Sequence, residues 1–320
     1  MGRQALIAAF AAGAVALGLA AAGARAQGYP ERTVEITVPS SPGATADMLG
    51  RVLAESLSQQ LGQPFIVVNK AAAAGTVGSA AVAQAKPDGY TLLHGAAFSL
   101  TVQPLTNANV GYTYKSFEPI CQTFKNDQVI VVRPDSPLKS VRDLIAAAKA
   151  KPGALNYGHP GIGTIPHLAM IELSRLSGAE FNQVPFKGPA EAVQMTIAGQ
   201  LDFAAVPLPT AAASGLRMPA LFAPARNPAI SDVPTVKEEG FDVAPLSVGA
   251  LVAPAGLPAD IARKLGEACR VATATDAYMR LAKNAFQPSD YYGDSAVLAS
   301  NMEKDVAEKK RLLASLGLLK

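Results

Sequence analysis

His94, His159 and His167 are the only imidazoles in the 320-residue chain, and their settings exclude most of the chemistry that imidazole performs. They form no H-E-x-x-H pair, and no cysteine or pair of acids stands near them, so a zinc site is not expected. No G-x-S-x-G pentapeptide supplies a hydrolase nucleophile, and no G-x-x-x-x-G-K-[ST] loop awaits nucleotide phosphates. The segment "GIGTIPH", Gly161 to His167, begins like a dinucleotide loop but has Pro166 where a glycine belongs. The chain is therefore read as lacking catalytic residues, metal and cofactor. It is not read as an enzyme.

Backbone chemistry remains. Two stretches lead from a strand-like run into a helical one: "PSSPGAT", Pro39 to Thr45, and "GHPGIGT", Gly158 to Thr164. At a helix start the first N–H groups lack intrahelical partners, and the macrodipole is positive, so an anion is favoured. Glycines let the backbone approach a ligand closely. The competing reading is an ordinary turn whose helix is capped by Thr45 or Thr164. Asp47 complicates the first loop, because a carboxylate in the first turn either uses up part of the positive potential or pins the loop.

The elements that must position these loops alternate. Short β-rich runs, among them "TVEITVP", "PFIVVN", "YTLLHG", "QVIVVRP", "LDFAAVP" and "VGALVAP", are separated by helical patterns at Thr45 to Leu61, Ser140 to Lys151, Ile165 to Ser177 and Pro189 to Ala198. This order predicts α/β architecture with mostly parallel sheets flanked by helices. Ser140 with Asp143 three residues on is a capping box. Crossings between two lobes are expected at "EPICQTFKNDQ", Glu118 to Gln128, and near Asp242 to Leu251. That divides the chain into a discontinuous first lobe, 27–124 with 247–320, and an inserted second lobe, 125–246. Ligands of such folds sit between the lobes, outside the carboxyl ends of the strands.

Residues 1–26 read as an export signal: Arg3, an apolar run from Ala5 to Gly23, and the cleavage box Ala24-Arg25-Ala26. The mature chain is expected outside the cytoplasm, in the periplasm of a Gram-negative cell. Removing the signal takes away Arg3 and Arg25, which leaves a net charge of about +1 and no basic footprint for nucleic acid. Cys121 and Cys269 are the only cysteines; after export they can pair, or stay as two buried thiols.

Across the mature chain the sequence resembles the Bug family, the periplasmic receptors of tripartite tricarboxylate transporters. The matching segments run in order: "YPERTVEITVPSSPGATAD", "LGQPFIVVN", "KPDGYTLLHG", "YKSFEPI", "AKAKPGALNYG", "GIGTIPHLAMIEL", "VPFKG", "AGQLDF", "DVPTVKEEGF" and "APAGLP". The resemblance implies a two-lobe, Venus-flytrap periplasmic binding protein, monomeric, that takes a small carboxylate and works with membrane transporter subunits. A carboxylate sensor serving a signalling partner is the alternative. Carried over by position, the ligand would be held by Ser40, Ser41, Gly43, Ala44, Thr45 and Asp47 in one lobe. Gly161, Gly163, Thr164 and His167 would hold it in the other, with Ala97 and Val206 in further lining segments.

The chain departs from the family pattern at several of these positions. Ser40 stands in place of phenylalanine, Ala44 of a second glycine and Ala46 of threonine; "KAAAAG", Lys70 to Gly75, replaces a glycine-rich "RPGAGG". Val206 stands where the family frequently has an acid. An apolar Val206 predicts a ligand without an ammonium group, an aromatic carboxylate or a dicarboxylate.

Overall fold

The computed structural model describes residues 28–315, 317 and 319, so the export signal read at 1–26 lies outside the described residues. Ten strands are present among them: β1 (Val34–Val38), β2 (Phe65–Asn69), β3 (Thr91–Ala96), β4 (Phe117–Lys125), β5 (Gln128–Val132), β6 (Asn156–His159), β7 (Asn182–Pro185), β8 (Phe203–Pro207), β9 (Arg217–Phe222) and β10 (Val248–Pro254). The helices are α1 (Thr45–Leu61), α2 (Thr76–Ala83), the short α3 (Phe98–Thr101) and α4 (Gln103–Thr106), α5 (Val141–Ala150), α6 (Ile165–Ser177), α7 (Pro189–Ile197), the short α8 (Leu208–Ala212), α9 (Ala259–Thr273), α10 (Asp276–Asn284) and α11 (Ser295–Ser315).

The strands form two mixed sheets, ordered β2-β1-β3-β10-β4 and β7-β6-β8-β5-β9, one to a lobe. In each sheet four strands share a direction and one is reversed: β10 is antiparallel to β3 and β4, and β5 to β8 and β9. The reversed strand is in each case the one that enters from the other lobe. All eight co-directional strands therefore end at the junction between the lobes, and β5 and β10 begin there.

Local sequence accounts for the main helices. Leu49, Leu53 and Leu57 recur every four residues along α1 and are fully buried with Val34, Ile36 and Val38 of β1. Gly62 ends the helix in the left-handed conformation, its N–H donating to Ser58 O. Gly50 stands inside α1, where glycine is a poor helix former, because a methyl group there would lie 2.8 Å from His94 Nδ1. Ser140 and Asp143 form the expected capping box at the start of α5.

One expectation changes in the structure, and one open choice is resolved. Most of "EPICQTFKNDQ" is not a linker: Phe117–Lys125 is an edge strand, and the first crossing consists of Asn126 and Asp127. Pro119 obscures the strand in the sequence, and edge position is what tolerates it. Cys121 and Cys269 are joined in a disulfide, with Cα atoms 6.6 Å apart, tying β4 to α9. The lobes also meet through side chains. Val102, between the short helices of the first lobe, and Leu105 of α4 pack with Ile165 and Leu168 of α6 and with Leu313 of α11.

Candidate functional site

The two loops singled out above prove to be the same piece of backbone built twice. In the first, Gly43 has φ +82°, Ala44 is extended (φ −67°, ψ 157°), and α1 follows. In the second, Gly163 has φ +77°, Thr164 is extended (φ −73°, ψ 158°), and α6 follows. Ala44 N–H donates to Ser41 O, and Thr164 N–H to Gly161 O. In both, the glycine N–H donates to a side chain four residues on: Gly43 to Asp47 Oδ2 at 2.9 Å, and Gly163 to His167 Nδ1 at 3.1 Å. Each lobe thus presents one such loop at the junction end of its sheet, after β1 and after β6.

Neither helix carries a side-chain cap. Ala44 has no oxygen to offer, and Thr164 Oγ1 donates back to Gly161 O at 2.7 Å. The capped-turn reading, which relied on Thr45 or Thr164, is thereby overturned. The first-turn N–H groups of Thr45, Ala46 and Asp47, and of Ile165 and His167, find no acceptor among the described residues. Pro166 has no N–H to leave unpaired. α5 and α10 differ, since Ser140 and Thr275 cap them.

Asp47 and His167 were read as ligand residues, but their polar atoms are already engaged. Asp47 Oδ1 accepts from Arg51 at 2.8 Å and from Asn69 Nδ2 at 2.9 Å, while Oδ2 takes the Gly43 N–H. Burial opposes its ionisation, yet Arg51, Gly43 and Asn69 together hold the carboxyl below its usual range. Asn69 Nδ2 also donates to Ser40 O at 3.0 Å, so Asp47 pins the whole loop. His167 is neutral and protonated on Nε2, which donates to Gln183 Oε1 at 2.7 Å, leaving Nδ1 to accept from Gly163. Desolvation lowers its pKa. The Gly163 N–H is likewise spent.

The remaining assigned positions fall as follows. Ser41 and Gly43 are exposed at the loop, with Ala44 and Thr45 partly so. Gly161, at φ +121°, accepts through its carbonyl from Thr164 and His159. Ala97 is buried and donates to Val248 O at 2.8 Å, closing the seam between β3 and β10. Val206 has no accessible surface and packs with Val129, Val131 and Ala192. It lines no part of the junction, and no property of the ligand follows from it. Val206 was expected to line the ligand; its side chain belongs instead to the core under the sheet.

Unpartnered buried polar atoms reveal what the sequence reading missed. Among the described residues, Ser40 Oγ, Gln103 Nε2, Asn126 Oδ1, Gln128 Oε1, His159 Nε2, Arg217 Nε and Asp305 Oδ1 are buried without a hydrogen bond. The first five lie at the junction: on or beside the two loops, on α4, or at the first crossing. Gln103 spans the gap between lobes, since a methyl group on Gly163 would sit 3.6 Å from its amide nitrogen. His159 ends β6, stacks on His167 with ring centroids 4.4 Å apart, and donates from Nδ1 to Gly161 O at 2.9 Å. Burial first, and His167 beside it, push its pKa down to about 4. Buried polar atoms are nearly always paired, with protein or with ordered water, so such a concentration marks the junction as the candidate site. No signal in the sequence distinguished these glutamines from others.

A crevice of about 350 Å³ opens elsewhere, between α6, the second crossing and the end of α11, and touches neither loop. Of its charged residues, Arg175 is paired with Glu172, Lys309 with Asp305 and Asp242 with Lys237, while Arg311 is in no salt bridge among the described residues.

Comparison with known proteins agrees with this architecture. Residues 49–318 match the model of the tripartite tricarboxylate transporter family receptor. A Cupriavidus necator protein, "UPF0065 protein in gbd 5' region", is 35% identical over 316 residues, 97% of this chain and 96% of that one. Among solved structures, the periplasmic binding protein BugD is 27% identical with TM-score 0.79, over 91% of this chain and 100% of its own. An R. palustris protein solved with adipate is 26% identical with TM-score 0.81, over 90% and 98%.

Proposed function

Because this chain belongs to the tripartite tricarboxylate transporter receptor family, we propose that it is a periplasmic receptor that captures an organic carboxylate between its two matching loops and delivers it to a transporter of that type. The observation that carries this reading is the pair of uncapped helix N-termini, one per lobe, at facing sheet ends. Each supplies first-turn N–H groups and the positive end of a helix dipole, which suit a carboxylate oxygen. Asp47 and His167 act as positioning residues that set the loop glycines. Gln103 Nε2 and Ser40 Oγ add side-chain donors. A dicarboxylate is favoured, since the R. palustris relative was solved with adipate.

Native mass spectrometry of gently purified mature protein, followed by a thermal-shift panel of mono- and dicarboxylates, tests the reading. A ligand that binds only the native state stabilises it by about 2.7 kcal/mol at a hundredfold excess over Kd. A clear upward shift with at least one carboxylate is expected. No shift across the panel, or turnover of a bound compound, would overturn the receptor reading.

A further inference from the structure

We infer that the carboxylate this receptor takes also carries a hydroxyl group, read by the side-chain oxygens of Gln128 and Asn126; the inference rests on the carboxylate reading of the junction. Gln128 is the first residue of β5, the strand that begins at the junction, and is only 2% exposed. Its amide orientation is fixed, because Nε2 donates to Asn126 O at 2.7 Å. Oε1 is therefore the buried acceptor without a partner. Asn126 Oδ1 is a second such acceptor two residues earlier, on the residue whose N–H donates to Ser247 O at 2.8 Å and so ties the first crossing to the second. Turning the Asn126 amide over would exchange its oxygen for a donor, but Gln128 has no such freedom.

The loop N–H groups, Gln103 and Ser40 offer donors to an anion, whereas the crossing offers two oxygens; His159 Nε2, whose ring gives its Nδ1 proton to Gly161 O, is a further unpaired acceptor beside the second loop. A ligand with a purely hydrocarbon body would leave those oxygens buried and unpaired, which costs more than the bonds themselves return. A hydroxyl supplies one donor, which one of these oxygens accepts alone or both accept in a shared, three-centre bond. An ammonium does not suit the place, because a buried cation needs a counter-charge. The one carboxyl of the crossing, Asp127, accepts from Asn227 Nδ2 at 2.8 Å, and the neighbouring Lys125 is paired with Asp290. The buried acceptors of the crossing that lack a partner are the two neutral amide oxygens.

Calorimetry on the mature chain with matched diacids isolates this feature: succinate, malate and aspartate; glutarate, 2-hydroxyglutarate and glutamate; adipate and 2-hydroxyadipate. At the length that binds most tightly, the hydroxy acid is expected to exceed its unsubstituted partner by at least tenfold. In Gln128→Met, and independently in Asn126→Ser, that ratio should collapse towards one. An unsubstituted diacid binding as tightly as its hydroxy partner, an amino acid binding tightest, or a ratio kept in both folded variants would each overturn the inference and leave the carboxylate reading standing. Binding of none of the eight would overturn the carboxylate reading itself, and the inference with it.

Discussion

Asp47 and His167 occupy the same place in two copies of one loop, yet one is an anion and the other neutral. Both accept the N–H of a glycine with positive φ, so both fix where the following helix points its free N–H groups. Arg51 beside Asp47 offsets its charge, which unpaired would oppose the anion proposed to bind at this loop. Replacing the aspartate in Asp47→Ala leaves the Gly43 N–H without its acceptor and takes one of two acceptors from Asn69 Nδ2, which should cost about 1–3 kcal/mol, with carboxylate affinity falling as the loop loosens. Urea melts and calorimetry read the two effects. The histidines set a pH dependence of definite sign. Desolvation pushes His94 and His159 down to about 4 and lowers His167. The unfolded chain therefore binds more protons than the folded one between about pH 6.5 and 4. Stability should be full above that window, fall as pH drops through it, and level off below, with roughly 3 kcal/mol at stake for each of the two most shifted rings. A melting temperature flat from pH 7 to 4 would contradict the buried, neutral rings.

The substitutions that separate this chain from its family pattern act differently on different elements. Ala44 costs the first loop nothing, because its backbone is extended and any residue adopts that conformation. The loop after β2 is less forgiving. Ala73 and Ala74 have φ of 47° and 55°, in the left-handed region where a Cβ is penalised. Both are exposed, so packing does not explain them. Ala74→Gly should stabilise the protein by up to about 1 kcal/mol, the relief of the Cβ penalty being partly offset by glycine's greater freedom when unfolded. A lower denaturation midpoint in Ala74→Gly would show that the alanine contributes something else.

At the scale of the molecule, the disulfide and the interlobe contacts divide the work of holding the fold. Cys121 and Cys269 lie 148 residues apart, and the segment between them contains the whole second sheet. Closing so long a loop restricts the unfolded chain strongly, so a Cys121→Ala, Cys269→Ala double variant should lose about 2–5 kcal/mol. The bridge lies within the first lobe, between β4 and α9, and leaves the two crossings unconstrained. Carboxylate affinity in the folded variant should stay close to that of the parent, as calorimetry would show; a large loss would mean that the bridge also shapes the junction.

The alternation of strands and helices, the bounds of α1 and α6, the capping box at Ser140 and both loops were legible in the sequence, because periodicity, glycine and N-terminal turn chemistry are local. The family followed from ordered motifs. β4 was not legible, since Pro119 reads as a strand breaker until the strand is known to be an edge. Nor was the burial of Val206, because a strand's sequence does not say which face of the sheet meets the cleft. The likeness of the loops was hidden by side chains as different as Asp47 and His167, which do one job through one shared backbone geometry. Which polar atoms stay unpaired was decided only by the tertiary structure: Gln103, Asn126 and Gln128 become special because two sheets, far apart in sequence, end at the same place.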